Sequence, residues 1–571
     1  MKKHQVLGII LGFLLYGLLF IFPTLGDFNL FDWDEINFAE STREMLVSGD
    51  FFHVQINFEP FHEKPPFFFW LQALSMKVFG INAFAARLPN ALLGVLTPII
   101  LFAMGCKVKN SSFGILWSLV YMLGILPSLY FRTGIIDPYF NLFIFTSIYF
   151  GYLYISTEEV KNKIHLFLSG LFAGLALITK GPVAVLIISI VFIFLVIIRR
   201  LKIDIISILI FFTTVLGCSL IWYGYEIWKS GPWFIVEFIK YQIELFSTPV
   251  AGHQQPFYYH FLVLLFGCFP FSFFALRIIF FSSERSLGFQ GVMRILFWVV
   301  LILFTIVSTK IVHYSSLAYF PLSYLASVEI QKLQFGKKLS ILFKTIFIAF
   351  TFIMTLGLTI PIFALVAQPK IMYESIHDSY IQEIMNTQLD WIGFEYLIPV
   401  LILVGSILFI ILSSKRLIQS VLIYLAFSGM FFLFSARLIL PKIDYLLQGH
   451  LIQFYESISL DKKYISTVGF KSYAHYFYAR TDQLTKVDQL KTKKLEILNT
   501  QFDVGSFHDL TKSQKNKYSS HIINWMAEGN IDRPCYFVTK SNRPIRQLEQ
   551  NKNLQIVYNK LGYKIFKRNI E

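Results

Sequence analysis

A polytopic α-helical membrane protein carrying a soluble α/β domain at its C-terminal end is the fold class this sequence predicts. Three observations predict it. Of 571 residues, 55% are hydrophobic and 18% aromatic, and the mean hydropathy is +0.59, too apolar for a soluble chain. Apolar runs of about 18 residues recur through residues 1–440, each long enough to cross a bilayer. From about residue 441 the chain turns polar and charged, and shorter strand-like runs replace the long ones.

In chain order, spans are predicted at about 5–23, 84–105, 112–130, 138–156, 164–180, 182–199, 204–223, 258–281, 293–309, 314–329, 341–366, 392–413 and 417–436, about thirteen in all. The first run continues past Met1, Lys2 and Lys3 to about Phe22 without a small-residue cleavage site, so it reads as a retained span. With the N terminus in the cytoplasm, the inner connections carry Lys107 and Lys109, Lys161 and Lys163, Arg199, Arg200 and Lys202, Arg285 and Arg294, Lys332, Lys337 and Lys338, and Lys415 and Arg416. Every one is basic, as the positive-inside rule requires. An odd number of spans then places residues 441–571 outside. Within them, strands are predicted at 463–469 and 535–539 and a hairpin over 554–567 turning at Leu561 and Gly562, with helical patterns near 471–480 and 543–551.

The formal charge of +15 lies largely beside spans or in the tail, where it sets orientation and meets anionic lipid, so no nucleic-acid partner is expected. The four cysteines, Cys106, Cys218, Cys268 and Cys535, make neither a metal spacing nor a disulfide framework.

On this topology the unusual polar residues gather on the outer face. The loop 24–83 holds Asp32, Asp34, Glu35, Glu40, Arg43, Glu44, Asp50, Glu59, Glu63 and Lys64. Ile36, Ala39, Met45 and Leu46 are spaced for a short helix lying along the interface. Pro65 and Pro66 hold Lys64 in a turn. The turn FRTGIIDP brings Arg132 and Asp137, LITKGP brings Lys180, STKIVHY brings Lys310, His313 and Tyr314, and a second long outer loop covers 224–257. Charges beside spans are costly unless they meet water, a partner or a charged ligand. Clustered Lys and Arg at that depth suit a phosphate or pyrophosphate, and a neighbouring carboxylate suits a general base. Spacing alone fits a phosphate-binding transporter equally. Plainer readings stand beside each residue: Asp34 and Glu35 as helix-capping acids, Lys180 as a snorkelling lysine, and Tyr241, Tyr258 and Tyr259 as an interfacial aromatic belt.

The motifs go further. DEINFAESTREMLVSGDF, EKPPFFFWL and FGINAFAARLPNALLG, with the TKGP turn, GHQQPFYYH at 252–260 and TKIVHY at 309–314, resemble the GT-C fold glycosyltransferases that use polyprenyl-phosphate sugars, among them the aminoarabinose lipid A transferases and protein-mannosyltransferase-like enzymes. The resemblance covers roughly residues 5–330. It implies a membrane glycosyltransferase moving a sugar from a polyprenyl-phosphate donor to an envelope acceptor (lipid A-like glycolipid, polysaccharide or protein) at the outer face of the inner membrane. It implies Asp34 as the catalytic base and Asp137 as a second catalytic acid, with Lys64 on the carrier phosphate. Glu35, Arg132, Lys180, Lys310, His313 and Tyr314 would line the substrate site, and Glu63 with His253 would hold a divalent metal ion in some relatives. Two departures from the pattern, Asn37 and Glu244 where basic residues are usual, point to a different headgroup or donor sugar. The competing readings are a transporter or flippase for a lipid-linked sugar, against which the chain shows no half-to-half similarity, and a non-catalytic assembly protein that recruits partners through its tail.

Overall fold

The computed structural model describes residues 2–570 apart from 33, 62, 157–161, 201–203, 249–253, 282–287, 368–376, 486, 506, 508–509 and 544. Among the described residues, eight helices are long and apolar enough to cross a membrane: Lys3–Thr24, Ala83–Val108, Lys163–Lys180, Ile205–Lys229, Phe289–Ile306, Ile341–Ala367, Glu395–Leu412 and Leu417–Ser457. Shorter apolar helices, Phe67–Phe79, Ser111–Met122, Val183–Arg199 and Phe271–Phe280, join them. The chain is thus a multi-pass helical membrane protein, and its helices depart in detail from the thirteen uninterrupted runs the sequence suggests. The run 112–130 is two helices, Ser111–Met122 and Ile125–Tyr130. The run 258–281 is Tyr259–Gly267 and Phe271–Phe281. Gly124 and Pro270 sit at these breaks, the first where a Cβ would meet the Phe271 ring and the second where a missing N–H interrupts the ladder. The run at 314–329 starts later, as Tyr319–Gln334, behind a 3₁₀ turn at Val312–Ala318.

The last long helix is the largest departure. Hydropathy ends it near 436, yet it runs on to Ser457. Its polar residues find partners across the bundle: Arg437 approaches Asp27 at 3.6 Å, Lys442 pairs with Glu395 at 2.7 Å, and the Asp444 carboxylate accepts from the Asn29 amide at 2.7 Å. Charged side chains that are paired do not force a helix to end.

Helix Asp34–Ser48 lies between the membrane-spanning helices and the tail. An interfacial helix would bury one stripe, but here Glu35–Met45 are buried without a gap. One side packs on Phe67–Phe79, with Phe38 meeting Phe68 and Phe69 edge-on, and another lies under the tail helix Ala474–Tyr478. Burial on every side forces its charges into pairs. Arg43 holds Glu40 through two bonds of 2.7 Å and reaches the Thr481 carbonyl of the tail at 2.9 Å. Glu44 accepts the backbone N–H groups of Asn57 and Phe58, whose positive φ values of 58° and 55° turn the short hairpin β1 (Gln55–Ile56) and β2 (Glu59–Pro60).

Arg87 is buried completely and uses all five of its donors. Nε and Nη2 donate to Glu35 at 2.7 and 2.8 Å, and the rest donate to the carbonyls of Leu25, Phe28 and Asn29 at 2.8–2.9 Å. Glu35 also accepts the N–H of Phe31 at 2.8 Å and of Gly134 at 2.7 Å. One ion pair therefore fixes the end of the first span, the head of helix Asp34–Ser48 and the turn before Asp137.

The tail forms a four-stranded sheet ordered β3-β4-β6-β5, with β3 (Tyr464–Thr467) parallel to β4 (Cys535–Lys540) and β6 (Tyr563–Arg568) antiparallel to both β4 and β5 (Gln555–Lys560). The predicted hairpin turns at Leu561 and Gly562, with φ of 49° and 76°. Helices Gln489–Gln501 and Lys512–Glu528 escape the sequence reading, although Tyr518, Ile522 and Met526 of the second form a buried apolar stripe.

Inside the tail, His475 is buried and neither ring nitrogen has a hydrogen-bond partner among the described residues. Burial pushes its pKa down to about 3. The unfolded chain, with an ordinary histidine pKa of about 6.5, then takes up a proton before the folded chain does. The resulting stability is full above that value and is lost as the pH falls towards 3, by roughly 1.4 kcal/mol per pH unit. Thermal unfolding of the full-length protein should show this slope, and His475→Phe should flatten it; an unaltered slope would clear His475.

Candidate active site

Helix ends and short turns bring the site together. Asp34 is the first residue of helix Asp34–Ser48 and Asp137 the first of helix Asp137–Ser156, positions where a helix N-terminus favours a carboxylate. Lys180 is the last residue of helix Lys163–Lys180, released by Gly181 at φ 108°. Lys64 stands in the turn ahead of helix Phe67–Phe79, and His313 stands in the Val312–Ala318 turn.

Lys180 Nζ lies 2.6 Å from Asp137 Oδ1. His313 Nε2 lies between the two acids, 3.8 Å from Asp34 Oδ2 and 4.0 Å from Asp137 Oδ2. The His313 backbone is held from behind, its carbonyl accepting the Ser316 hydroxyl, which in turn accepts the Asn141 amide at 2.7 Å. Tyr314 lays its ring 5.3 Å beneath the Lys180 ammonium and beside the His313 ring. Lys64 sits 5.6 Å over the Tyr241 ring, and the Tyr241 hydroxyl donates to Glu63 at 3.0 Å.

The charges feel one another. Removal from water lowers the Lys64 pKa; Glu63 opposes that shift, Lys180 adds to it, and Asp34 and Asp137 oppose it. Burial likewise lowers the His313 pKa, with Asp137 and Asp34 opposing and Lys180 and Lys64 reinforcing. His313 is therefore a neutral imidazole near neutral pH, placed between two carboxylates without neutralising either. The half-buried Asp34, at 36% side-chain exposure against 6% for Asp137, is the acid an incoming group can reach.

Asp34, Asp137, Lys64, Lys180, His313, Tyr314 and Glu63 thus form one group. Three other sequence candidates lie apart from it. Glu35 turns inward to Arg87. Arg132 donates to the Ser128 and Phe20 carbonyls and packs 4.5 Å over the Phe432 ring, tying three helices. Both satisfy the criterion that selected them, a charge at a span's outer end, by serving the framework. Lys310 is buried, donates to the Val307 carbonyl at 2.9 Å and lies near His260. His253 falls outside the described residues. Among the described residues no group of three or more histidine, cysteine and acidic side chains converges, and Glu63 alone supplies fewer donors than a closed metal site needs.

Tyr241 is the residue sequence reasoning missed. Its helix, Trp233–Ser247, exposes Val236, Ile239, Ile243 and Phe246 as an interfacial helix does, while Phe238 is buried and Tyr241 faces Lys64. The spacing of Phe238, Tyr241 and Leu245 was the available signal for a second, inward face.

The family profile described as dolichyl-phosphate-mannose-protein mannosyltransferase matches residues 63–222, which include Lys64, Asp137 and Lys180. An undecaprenyl phosphate-alpha-4-amino-4-deoxy-L-arabinose arabinosyl transferase of Proteus mirabilis is 27% identical over 341 residues, 56% of this chain and 59% of the relative. An uncharacterized protein of Aquifex aeolicus is 30% identical over 317 residues, covering 55% of this chain and 71% of the relative. The chain spans about half to two thirds of the length of several curated relatives it matches. In three dimensions it resembles the crystal structure of ArnT from Cupriavidus metallidurans bound to undecaprenyl phosphate, with a TM-score of 0.73 over 99% of this chain and 98% of that one at 15% identity. Fold, profile and sequence relatives agree that this chain has the GT-C fold and is similar to polyprenyl-phosphate-sugar glycosyltransferases, the aminoarabinose transferases among them.

Proposed function

We propose that this protein transfers a sugar from a polyprenyl-phosphate donor to an envelope acceptor at the outer face of the inner membrane, with its N terminus in the cytoplasm and the tail domain outside. The observation that carries the reading is the pairing of a reachable carboxylate, Asp34, with the ammonium groups of Lys64 and Lys180 in one electrostatic neighbourhood. In this reaction the acceptor's nucleophilic atom bonds to the sugar's anomeric carbon. The bond from that carbon to the phosphate oxygen breaks, and the acceptor proton passes to Asp34. The polyprenyl phosphate leaves with the electron pair. Lys64 and Lys180 meet the phosphate oxygens and stabilise the charge that grows on them. Asp137 keeps Lys180 extended into the site, and Tyr241 orients both Glu63 and Lys64. The arrangement fits transfer better than flipping, because a carrier that only crosses the membrane needs no base beside its headgroup site.

The test is transfer by the full-length protein in proteoliposomes, using a polyprenyl-phosphate sugar as donor. Lys64→Ala should raise the apparent KM for the donor by about tenfold or more, the scale of one lost charge-assisted hydrogen bond. An unaltered donor KM, or headgroup crossing without transfer, would refute the reading.

A further inference from the structure

A second concentration of charge lies at the far end of the helix that follows His313. Helix Tyr319–Gln334 starts behind the Val312–Ala318 turn and runs for 16 residues, about 24 Å along its axis. Glu329 lies in its last turns with a side chain only 6% exposed, and three cations converge on it. Lys332 Nζ stands 2.8 Å from Oε2, while Lys337 Nζ and Arg277 Nη1 share Oε1 at 3.0 and 3.1 Å.

The chain folds so as to gather them. Gly336, at φ 87°, ends the helix, and the N–H groups of Phe335 and Lys337 both donate to the Lys332 carbonyl at 3.2 Å. That turn carries Lys337 back to Glu329. Arg277 comes from helix Phe271–Phe281, which packs along Tyr319–Gln334. A fourth cation, Lys109, follows helix Ala83–Val108 and donates to Gln331 at 2.6 Å. Partial burial lowers its pKa and Lys332 adds to the shift, so the two ammonium groups are neighbours. Helix Ala83–Val108 is a candidate span whose first turns hold Arg87 beside Glu35, so Lys109 marks the membrane face opposite Asp34.

One carboxylate does not balance four cations. Among the described residues Glu329 is the only acid within ion-pair distance of any of them. The partial negative charge of the helix C-terminus offsets about half a unit of the excess. Like charges held on one oxygen repel until a further anion enters. The side chains of Arg277, Lys332 and Lys337 remain 36–56% exposed, so an anion can reach them. Charge alone would suit any anion, and the neighbouring apolar residues narrow the choice. Phe335, Ile341 and Leu342, on either side of Lys337, are 71–84% exposed. Exposed apolar side chains at the end of spanning helices meet lipid, and basic pockets between such helices suit anionic headgroups.

We propose that this corner binds an anionic phospholipid with two phosphate groups, one on Arg277 and Lys337 and the other on Lys332 and Lys109, with acyl chains along Phe335, Ile341 and Leu342. The bound lipid joins the ends of three helices at the face away from the transfer site.

The test is native mass spectrometry of the delipidated full-length protein in detergent with added tetraoleoyl cardiolipin, dioleoyl phosphatidylglycerol at equal phosphate, or pyrophosphate. Cardiolipin should bind saturably and more tightly than either of the others. The double variant Lys332→Gln, Lys337→Gln should weaken it about tenfold, the scale of two cations acting on an anionic lipid. Lys332→Arg with Lys337→Arg should retain it, which separates loss of charge from loss of shape. Arg277→Gln, at the most exposed of the three cations, should weaken it in the same direction and serves if the double variant fails to fold. Lys64→Ala should leave it unaffected. Cardiolipin binding as tightly to the glutamine variants as to wild type would overturn the proposal. So would loss in Lys64→Ala, which would put the lipid in the donor site. Phosphatidylglycerol binding as tightly as cardiolipin would remove the two-phosphate match, and pyrophosphate doing so would remove the lipid; either overturns it. The assay needs no turnover, so this site and the transfer reading fail separately.

Discussion

Asp34→Asn is expected to lower sugar transfer by about 10²–10⁴-fold, the usual contribution of a positioned general base, while leaving folding and donor binding near wild type. The substitution keeps shape and removes only the ability to take a proton. Asp34 is the right acid for that loss because it is half exposed, 3.8 Å from the neutral His313 imidazole, and among the described residues has no Lys or Arg at ion-pair distance. Asp137 differs. Its carboxylate is occupied by Lys180 at 2.6 Å, so Asp137→Asn should act mainly by letting Lys180 relax, raising the donor KM as well as lowering the rate. Steady-state transfer in proteoliposomes, with separate donor and acceptor titrations, distinguishes the two variants. Transfer by Asp34→Asn at wild-type rate would remove Asp34 from the chemistry.

Arg87→Ala is expected to destabilise the fold by about 3–5 kcal/mol, the cost of breaking a buried ion pair from one side. The variant would leave the Glu35 carboxylate buried with only backbone donors and would orphan the carbonyls of Leu25, Phe28 and Asn29. Because Glu35 adjoins Asp34 and accepts from Gly134 near Asp137, the damage should spread to the site. The double variant Glu35→Gln, Arg87→Met should recover part of the loss, since an uncharged pair of similar volume no longer leaves a lone buried charge. Thermal unfolding of the solubilised protein measures both. A single variant as stable as wild type would show that this pair does not hold these elements together.

The sequence carries the helical membrane class, the strands of the tail and the hairpin at Leu561 and Gly562, because long apolar runs and turn residues are local signals. It does not carry the continuation of helix Leu417–Ser457. Hydropathy stops at its first charges, and the partners that keep it helical, Asp27, Asn29 and Glu395, lie far away in the chain. Helix Asp34–Ser48 shows the same limit. Ile36, Ala39 and Met45 reveal a face, but only the tail folded over it makes Glu40, Arg43 and Glu44 interior residues.

The candidate site was legible as a class of residue, the charge at a span's outer end. That class cannot separate Asp34 and Lys180 from Glu35 and Arg132, whose partners are also distant in sequence. Tyr241 was hidden differently, since one amphipathic helix both exposes Ile239 and Ile243 and seats an inward tyrosine under Lys64.

The most direct measurement is the structure of the full-length protein in lipid nanodiscs with undecaprenyl phosphate. The account predicts the phosphate within about 3 Å of the Lys64 ammonium, on the side of the cluster open to Asp34. A phosphate held elsewhere, with Lys64 still covered by Tyr241 and Asp34 out of its reach, would contradict it.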